Sequence, residues 1–347
     1  MKKGITVAGS ILVDHIHEIS AYPQAGELTQ IRKTKQASGG CVPNVAVDLR
    51  IMEPTLRVDA IGKVGCDGDG DYVLERLSSF GIGTDGVART QDRTSFTEVM
   101  SITGGQRTFF TYPGASSEFG YTDIDFDSLD TDMLHLGYLL LLDKVDSGDG
   151  VRILAEAQRR GILTSVDFVS ENSDRYLSVL PALAYTDNLI INEMEAGRLA
   201  EMEPCAENLR AIAEKIRAYG VSDRVIIHMP EVGICLSERG YTVVPSYELP
   251  SGYIQGTTGA GDAFCAGALL GIYEGLSDEE ILVLASGAAA AALSAEDAVS
   301  GMRSRADIRE LCRGWKRKTF TAYATQTKKA RKGFFCFGNI LNRSARS

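Results

Sequence analysis

The sequence predicts a three-layer α/β fold, in which helices cover both faces of a mostly parallel central sheet and a small β-sheet forms a lid. Short apolar runs rich in β-branched residues, such as NLIIN and RVIIHM, alternate with amphipathic segments such as ENLRAIAEKIRAYG. This alternation is typical of crossover units between parallel strands. The length of 347 residues suits one large domain with a small attachment.

The chain starts with GITVAGSILVD, which we expect to be one buried strand with Asp14 at its carboxyl end, where α/β sheets bind ligands. Two later stretches, at about residues 15–37 and 94–112, show alternating polar and apolar residues, as half-exposed antiparallel strands do. Gly104 and Gly105 mark a hairpin turn in the second stretch. Together these stretches are predicted to form the lid.

The charge distribution divides the chain into an acidic body and a basic end. The sequence has 46 acidic and 36 basic residues, a net charge of −10, yet residues 313–347 contain ten basic residues and no acid. An acidic body argues against a nucleic-acid partner. We therefore predict a domain over residues 1–312 and a basic C-terminal extension over 313–347. The extension is expected to be a solvated tail, with docking on the body, a second subunit or an anionic membrane as alternatives.

Apolar runs and cysteines bear on the compartment and on metals. The N-terminal apolar run is interrupted too early for a signal peptide or a membrane span, so we expect a cytoplasmic protein without a membrane partner. Seven scattered cysteines without a CxxC pair suggest neither a disulfide framework nor a zinc cluster. His15 and His17 would share one face of a strand, but no third ligand follows nearby in the sequence.

The sharpest local pattern is GTTGAGDAFCAGALLGI, at residues 256–272. A glycine-rich loop that leads into a helix presents unpaired backbone N–H groups, which bind anions and phosphate in particular. Gly259 and Gly261 let the backbone approach an oxygen closely. Asp262 lies in the first turn, where it is either a helix-capping acid or a functional carboxylate.

The string TTGAGDAF closely resembles the signature of the PfkB family, the ribokinase-like carbohydrate and nucleoside kinases. The resemblance covers about residues 4–312 and includes SGGCVPNVAVDL (38–49) and INEMEAGRL (191–199). It implies a ribokinase-like fold, ATP and Mg²⁺ as cofactors, and Asp262 as the catalytic base. It also implies that the amides of Gly259, Ala260 and Gly261 stabilise the transferring phosphoryl group.

Further site residues follow from the same resemblance, each with a structural alternative. Asp14, Gly39, Gly40 and Asn44 are expected to bind the sugar, although Asp14 could be a strand-end cap and Asn44 a polar residue of the turn before a helix that begins near Pro43. Asn192 and Glu195 are expected to order Mg²⁺ through water, although the same spacing also describes an N-terminal helix cap. The nucleotide-binding residues implied are Asn192, Glu195, Gly233, Thr257, Gly259 and Gly261.

Two departures from the family pattern leave details open. Gly256 stands where the family commonly has an Asp that helps to hold a monovalent cation, so activation by potassium is uncertain. His228, Met229 and Pro230 replace smaller residues in the stretch expected to line the nucleotide pocket, which leaves the mode of adenine binding open.

The acceptor is predicted from the turn around residue 40. The form GG-x-x-P-N-V-A resembles fructokinase-type and 2-keto-3-deoxygluconate-type members of the family more than sugar-phosphate kinases, whose equivalent turn usually carries a Lys for the existing phosphate. Cys41 and Val42 offer no such charge, so the resemblance implies an unphosphorylated sugar or sugar acid. A nucleoside kinase with lid aromatics (Tyr22, Phe96 or Phe109) and a non-catalytic sugar- or nucleotide-binding relative are the alternatives. Arg107 is expected either in solvent or near an anionic substrate group. The exposed lid strands suggest a homodimer through the lid.

Overall fold

A computed structural model describes residues 2–102, 107–171 and 173–320 of the chain. The described strands form a nine-stranded central sheet and a four-stranded second sheet. Every helix within these residues is too short or too polar to span a lipid bilayer.

The central sheet is mostly parallel, as predicted. Its strands are β1 (Ile5–Gly9), β4 (Val58–Gly65), β5 (Gly83–Thr90), β8 (Met133–Leu139), β9 (Leu163–Phe168), β10 (Asn188–Asn192), β11 (Arg224–His228), β12 (Val232–Ser237) and β13 (Gly240–Pro245). They lie in the order β13-β12-β11-β10-β9-β8-β1-β4-β5. Among these strands only β12, near one edge, runs against its neighbours: it pairs antiparallel with both β11 and β13. The carboxyl ends of the parallel strands therefore meet along one edge, where α/β folds bind ligands.

Helices cover both faces of the central sheet. They are α1 (Cys41–Met52), α2 (Gly68–Ser79), α3 (Gly114–Ser117), α4 (Gly150–Arg159), α5 (Leu180–Leu183), α6 (Glu193–Ala200), α7 (Leu209–Ala218), α8 (Ala260–Glu274), α9 (Asp278–Ala292) and α10 (Arg305–Cys312). One hydrophobic core joins α1, α8 and α9 to the sheet, and a second joins α4, α6 and α7 to its other face. Helix α8 is buried along most of its length, which explains its small apolar residues.

The lid is the second sheet, made of β2 (Leu12–Ile19), β3 (Ile31–Gly39), β6 (Ser95–Ile102) and β7 (Arg107–Tyr112). Strands β2 and β3 pair antiparallel, as do β6 and β7, in agreement with the predicted hairpins. The two hairpins join through a parallel pairing of β2 with β6. Gly104 and Gly105 lie outside the described residues.

One expectation about element boundaries is wrong, and a second is close. The first apolar segment forms two strands, because the chain turns at Gly9, which has a φ of 133° and packs directly against Gly137. Asp14 consequently lies within β2 at the base of the lid, beyond the end of the first central strand. Helix α1 begins at Cys41, ahead of Pro43, because Gly40 already reverses the chain.

The basic extension starts later than predicted. Trp315 packs edge-on against Tyr247 and Tyr253, with ring centroids 6.0 and 5.0 Å apart. The Lys318 amide donates to the carbonyl oxygen of Ser246 at 2.8 Å. The segment that follows α10 is thus part of the folded body, and the predicted boundary at residue 312 falls too early. Residues 321–347 lie outside the described residues.

Candidate active site

The loop before α8 forms the predicted anion-binding turn. Gly259 caps the helix with a φ of 80°, and a Cβ at this position would lie 2.5 Å from the Cα of Ala298. Only glycine combines this left-handed backbone with such close packing. Because Gly259 has no side chain, it does not cap the first-turn amides, and Gly261 is exposed at the mouth of two cavities. A helix N-terminus of this kind attracts a phosphate group.

Asp262 is buried at the centre of the site, with both carboxylate oxygens oriented by neighbours. The Asn44 side-chain amide donates to Oδ2 at 2.9 Å, and the Tyr138 hydroxyl donates to Oδ1 at 2.9 Å. Asn44 belongs to α1 and Tyr138 to β8, so three separate elements converge on this carboxylate. The carboxylate lines a cavity of about 270 Å³ instead of lying on the protein surface.

The environment of Asp262 tunes its proton affinity. Burial, and then the negative charge of Asp167, raises its pKa to about 7, while the hydrogen bonds from Asn44 and Tyr138 act in the opposite direction. A general base works best when its pKa is close to the working pH. The site therefore holds a carboxylate that exchanges protons near neutrality.

The turn around Gly39 and Gly40 brings Asp14 beside Asn44. A Cβ on Gly39 would lie 2.7 Å from Oδ2 of Asp14, so only glycine lets this acid approach the turn. Gly40 has a φ of 86°, and a Cβ there would lie 2.7 Å from the carbonyl oxygen of Ser10. Both glycines are thus required by the local geometry.

Two polar groups of this turn are available to a ligand. Oδ1 of Asn44 is buried and has no hydrogen-bond partner among the described residues. Burial raises the pKa of Asp14 to about 6, although the charge of His15 lowers it. Buried polar atoms are normally hydrogen-bonded, so an orphaned acceptor beside a half-buried acid indicates a site for hydroxyl groups.

Asn192 and Glu195 form a capping box and face the cavity at the same time. Oδ1 of Asn192 accepts from the Glu195 amide at 2.9 Å, and Oε2 of Glu195 accepts from the Asn192 amide at 3.0 Å. The Ser170 hydroxyl donates to Oε1 of Glu195 at 2.7 Å. Burial raises the pKa of Glu195 to about 7. The helix-cap alternative is therefore observed, and it fixes both side chains on the cavity wall.

A second, mostly apolar cavity of about 430 Å³ adjoins the polar one and shares Asn192, His228 and Gly261 with it. His228 stacks on Phe264 with ring centroids 4.6 Å apart. Burial lowers the pKa of His228 to about 4, so the ring is neutral at physiological pH. The other lining residues include Met194, Met229, Pro230, Tyr247, Leu249, Ile254, Thr257, Ala289, Leu293 and Lys318.

Two glycines singled out from the sequence lie away from both cavities. Gly233 is on β12, behind Phe264, where a Cβ would lie 3.2 Å from the ring and 3.3 Å from Leu282. It supports the wall of the apolar cavity from behind, and its predicted part in nucleotide binding stays a prediction. A Cβ on Gly256 would lie 2.7 Å from the carbonyl oxygen of Ala295, which leaves no room for an Asp side chain.

The lid touches the body at the mouth of a third cavity, of about 360 Å³. The Arg107 guanidinium donates to the Thr258 hydroxyl at 2.7 Å, and Lys35 pairs with Glu296 at 2.8 Å. Arg107 is an exposed residue that also contacts the anion-binding loop. The lid is closed over the cleft in this structure.

The sequence analysis missed Tyr138 and Asp167. Tyr138 has a φ of 61°, rare for a residue with a Cβ, and its amide donates to Oδ1 of Asp167 at 2.6 Å. Nothing in the apolar run DMLHLGYLLLL distinguishes this tyrosine. Asp167, in contrast, stands near the carboxyl end of LTSVDF, where an acid on a buried parallel strand is a usable indication of a site.

An anion-binding helix N-terminus, a buried carboxylate with a near-neutral pKa and an adjoining apolar cavity define a class of protein. Phosphoryl transfer depends mainly on positioning and on stabilising charge, and these are the parts it requires. The site is that of a small-molecule phosphotransferase.

Comparison with known proteins supports the same class of protein. Residues 2–305 match the profile of the pfkB family carbohydrate kinases, and the chain belongs to this family. It is 26% identical over 312 residues to ribokinase from Arabidopsis thaliana, covering 88% of this chain and 80% of that protein. It is also 26% identical over 260 residues to adenosine kinase from Saccharomyces cerevisiae, covering 72% and 75%.

Solved structures share the fold. Arabidopsis thaliana ribokinase complexed with ribose and ATP superposes with a TM-score of 0.76 at 23% identity, covering 90% of this chain and 99% of that one. Ribokinase from Thermotoga maritima gives a TM-score of 0.74 at 21% identity with the same coverage. The ribokinase-like fold is confirmed, and the protein is an ATP-dependent sugar or nucleoside kinase.

Proposed function

We propose that this kinase transfers the γ-phosphate of ATP to a hydroxyl group of an unphosphorylated small sugar or sugar acid, as fructokinases and 2-keto-3-deoxygluconate kinases do. The observation that carries the proposal is the buried Asp262 carboxylate, held by Asn44 and Tyr138 at the junction of the acceptor turn and the anion-binding helix. Cys41 and Val42, at the start of α1, are fully buried and bring no cation to the turn for a second phosphate.

Asp262 accepts the proton of the attacking hydroxyl, which Asp14 and Asn44 hold in place through its neighbouring hydroxyls. The amides of Gly259, Ala260 and Gly261 stabilise the charge on the phosphoryl group as it moves between the two oxygens. The closed lid excludes water from this step and so limits ATP hydrolysis.

The nucleotide occupies the two adjoining cavities. Its base fits the apolar cavity near Thr257, and its phosphates extend past Asn192 to the helix N-terminus. The carboxylate and amide of Glu195 and Asn192 suit a hydrated Mg²⁺, which would neutralise phosphate charge when bound. Both side chains are held rigidly by their capping box, so they orient water without rearranging.

A nucleoside acceptor is the second candidate, and one lid residue favours it. Arg107 points to the body, so side-chain alternation along β7 places Phe109 on the same inner face. Phe109 is 57% exposed and free to stack on a base. Phe96 lies on the outer face, stacked between His15 and Tyr112, and therefore cannot serve this purpose.

The test is an Asp262→Asn substitution assayed with ATP over a panel of ketoses, sugar acids, pentoses and nucleosides. A general base contributes about 10² to 10⁴ in rate, so the variant should lose at least 10²-fold in kcat on the best acceptor. Asp127→Asn, at an exposed position, serves as the matched control. A loss below tenfold would show that Asp262 is not the base. A clear preference for nucleosides would show that the acceptor is a nucleoside, not a sugar or sugar acid.

We also propose that two copies associate through the lid. Three apolar side chains of the lid are exposed to solvent: Leu28 by 87%, Ile31 by 53% and Phe110 by 58%. Exposed apolar surface on a sheet favours association with another chain. Light scattering on the intact chain should give twice the chain mass, and Phe110→Lys should reduce it to one. An unchanged mass in the variant would place any dimer contact elsewhere.

A further inference from the structure

We propose that the protein holds a zinc-type metal ion directly beneath the acceptor turn, bound by Sγ of Cys41, Nε2 of His135 and Oδ2 of Asp167. These three donor atoms lie within 4.8 Å of one another. Cys265, on α8, lies beside this group, with its Sγ 3.6 Å from Nε2 of His135. The inference does not depend on which acceptor the kinase phosphorylates.

The distances between the donor atoms are compatible with a shared metal ion. Oδ2 of Asp167 lies 3.5 Å from Nε2 of His135, which is long for an N–H···O bond of about 2.9 Å. The two sulfur contacts, 3.8 Å from Cys41 Sγ to Oδ2 of Asp167 and 3.6 Å from Cys265 Sγ to Nε2 of His135, have the length of weak S–H hydrogen bonds and also suit ligands of one ion. Around tetrahedral zinc, with bonds of about 2.0 Å to N or O and about 2.3 Å to S, neighbouring ligand atoms are about 3.3–3.8 Å apart.

Two of the ligand side chains are oriented by polar contacts at the atoms that face away from the cluster. Nδ1 of His135 lies 3.2 Å from the Ser165 hydroxyl, and Oδ1 of Asp167 accepts from the Tyr138 amide. Nε2 and Oδ2 are therefore directed at the centre of the cluster. Metal-binding histidines and carboxylates usually have such outer partners, which fix their orientation.

The charge of the surroundings calls for a cation. The polar cavity above the cluster is lined by three carboxylates, of Asp167, Glu195 and Asp262, and by no Lys or Arg among the described residues. His135 and Cys41 are fully buried, and Asp167 is 6% exposed. A buried carboxylate that lacks a close cationic partner is costly. Thiolate and imidazole donors select zinc or a similar ion over Mg²⁺.

The fold creates this cluster from positions that are far apart in the sequence. The ligands come from the first turn of α1, from β8 and from β9, and Cys265 comes from α8. A bound ion would connect the acceptor turn to the central sheet below Asp262. Scattered single cysteines and histidines give no spacing motif, so the sequence alone argued against a zinc cluster.

The test is a titration of the full-length, chelator-treated protein with Co²⁺, followed by its absorption spectrum. One Co²⁺ per chain should bind, with intense visible d–d bands and a near-ultraviolet thiolate-to-metal band. Cys41→Ser should remove the thiolate band, and His135→Gln should abolish tight binding. Ser165→Ala should weaken affinity by about 10- to 100-fold, as expected for an outer partner. Circular dichroism confirms that each variant is folded.

The matched control is Cys66→Ser, because Cys66 is an exposed cysteine outside the cluster. Its spectrum and affinity should equal those of the unmodified protein. The proposal is overturned if Co²⁺ does not bind, if Cys41→Ser retains the full spectrum, or if Cys66→Ser alone loses it. Should Cys41→Ser fail to fold, Ser165→Ala provides the same distinction.

Discussion

The two walls of the cleft are built in different ways. The phosphate-binding wall is set by backbone packing: Gly259 rests on Ala298, Gly40 rests on Ser10, and the carboxylate between them is buried. The lid is held over the cleft by side-chain contacts such as that between Lys35 and Glu296, which are 48% and 68% exposed. The geometry of the phosphate-binding wall is thus fixed by close packing, whereas closure of the lid depends on exposed ion pairs that form and break readily.

The contacts at the base of the lid are intermediate between the close packing of the phosphate-binding wall and the exposed ion pair of the lid tip. His15 on β2 lies 3.2 Å from Glu98 on β6 and 3.2 Å from Asp69 on α2, so it connects the lid to the body. Asp67 accepts from the amide and hydroxyl of Thr94 nearby. These contacts are partly buried and stronger than those at the lid tip, which suits a hinge that stays attached while the tip opens.

The largest effect should come from breaking the packed wall. Gly259→Ala adds a Cβ against Ala298 and should lower kcat by more than 10²-fold, since the first-turn amides move from the phosphate. Gly252→Ala is a matched control, because Gly252 has a φ of 75° and an added Cβ meets nothing within 4 Å. Its cost is limited to about 1–2 kcal/mol of backbone strain. Equal kcat losses in the two variants would contradict the packing argument.

Removal of a hydrogen bond to the base should shift the pH profile. Asp262 has a pKa of about 7 and is protonated, hence inactive, below it, so kcat should rise with pH through neutrality. The Tyr138 hydroxyl lowers that pKa, so Tyr138→Phe should move the acid limb to higher pH while the alkaline plateau changes less. Tyr176→Phe, at a buried tyrosine outside the cluster around Asp262, serves as control. A parallel drop at all pH values would indicate misplacement instead.

A smaller effect is expected at the lid base. The pKa of His15 is raised above 6.5: burial lowers it, but the hydrogen bonds that the ring donates to Glu98 and Asp69 outweigh burial. Below pH 6.5 the ring is protonated, so its bonds to Glu98 and Asp69 stabilise the attachment of the lid in full. This stabilisation is lost as the pH rises through the raised pKa of the folded protein. His15→Gln should weaken the pH dependence of the acceptor KM above pH 6.5, where the ring loses its proton. KM measured from pH 5.5 to 8.5 checks it, and an unaltered pH dependence would assign it to Asp14.

The smallest effect should come from the lid tip. An exposed ion pair contributes about 0.2–1 kcal/mol, so Lys35→Met should raise the acceptor KM by less than about fivefold and leave kcat unchanged. Lys33→Met, at a neighbouring position on the same strand and cavity, is the control. If Lys35→Met reduced kcat strongly, the tip would take part in the chemical step and the contrast between the two walls would fail.

Most of the fold and the central part of the site could be predicted from the sequence. Asp262, Gly259 and the acceptor turn lie in continuous motifs, and the conformational demands of glycine link such motifs to geometry. Strand and helix alternation gave the central sheet, and polar alternation gave the lid. Asp14 was misplaced by a few residues, because a turn at Gly9 depends on packing against Gly137, a distant part of the chain.

The parts of the fold and of the site that could not be predicted depend on contacts between residues far apart in the sequence. Tyr138 reaches Asp262 only because its backbone adopts an unusual conformation. Gly233 has the expected residue type but supports Phe264 from behind. The boundary at residue 312 was inferred from charge and from the extent of the family resemblance, whereas Trp315 packs against two aromatic rings.

The segment around Lys318 has a practical consequence for protein engineering. Lys318 and Tyr247 both line the apolar cavity, the Arg317 guanidinium stacks on Tyr247, and the Lys318 ammonium donates to the carbonyl oxygen of Pro230. A shortened chain that stops at Cys312 would lose part of this cavity wall, whereas one that stops at Phe320 keeps it. A fluorescent label attached just after Phe320 would begin at the rim of the cavity, and so offers a direct optical report of nucleotide occupancy.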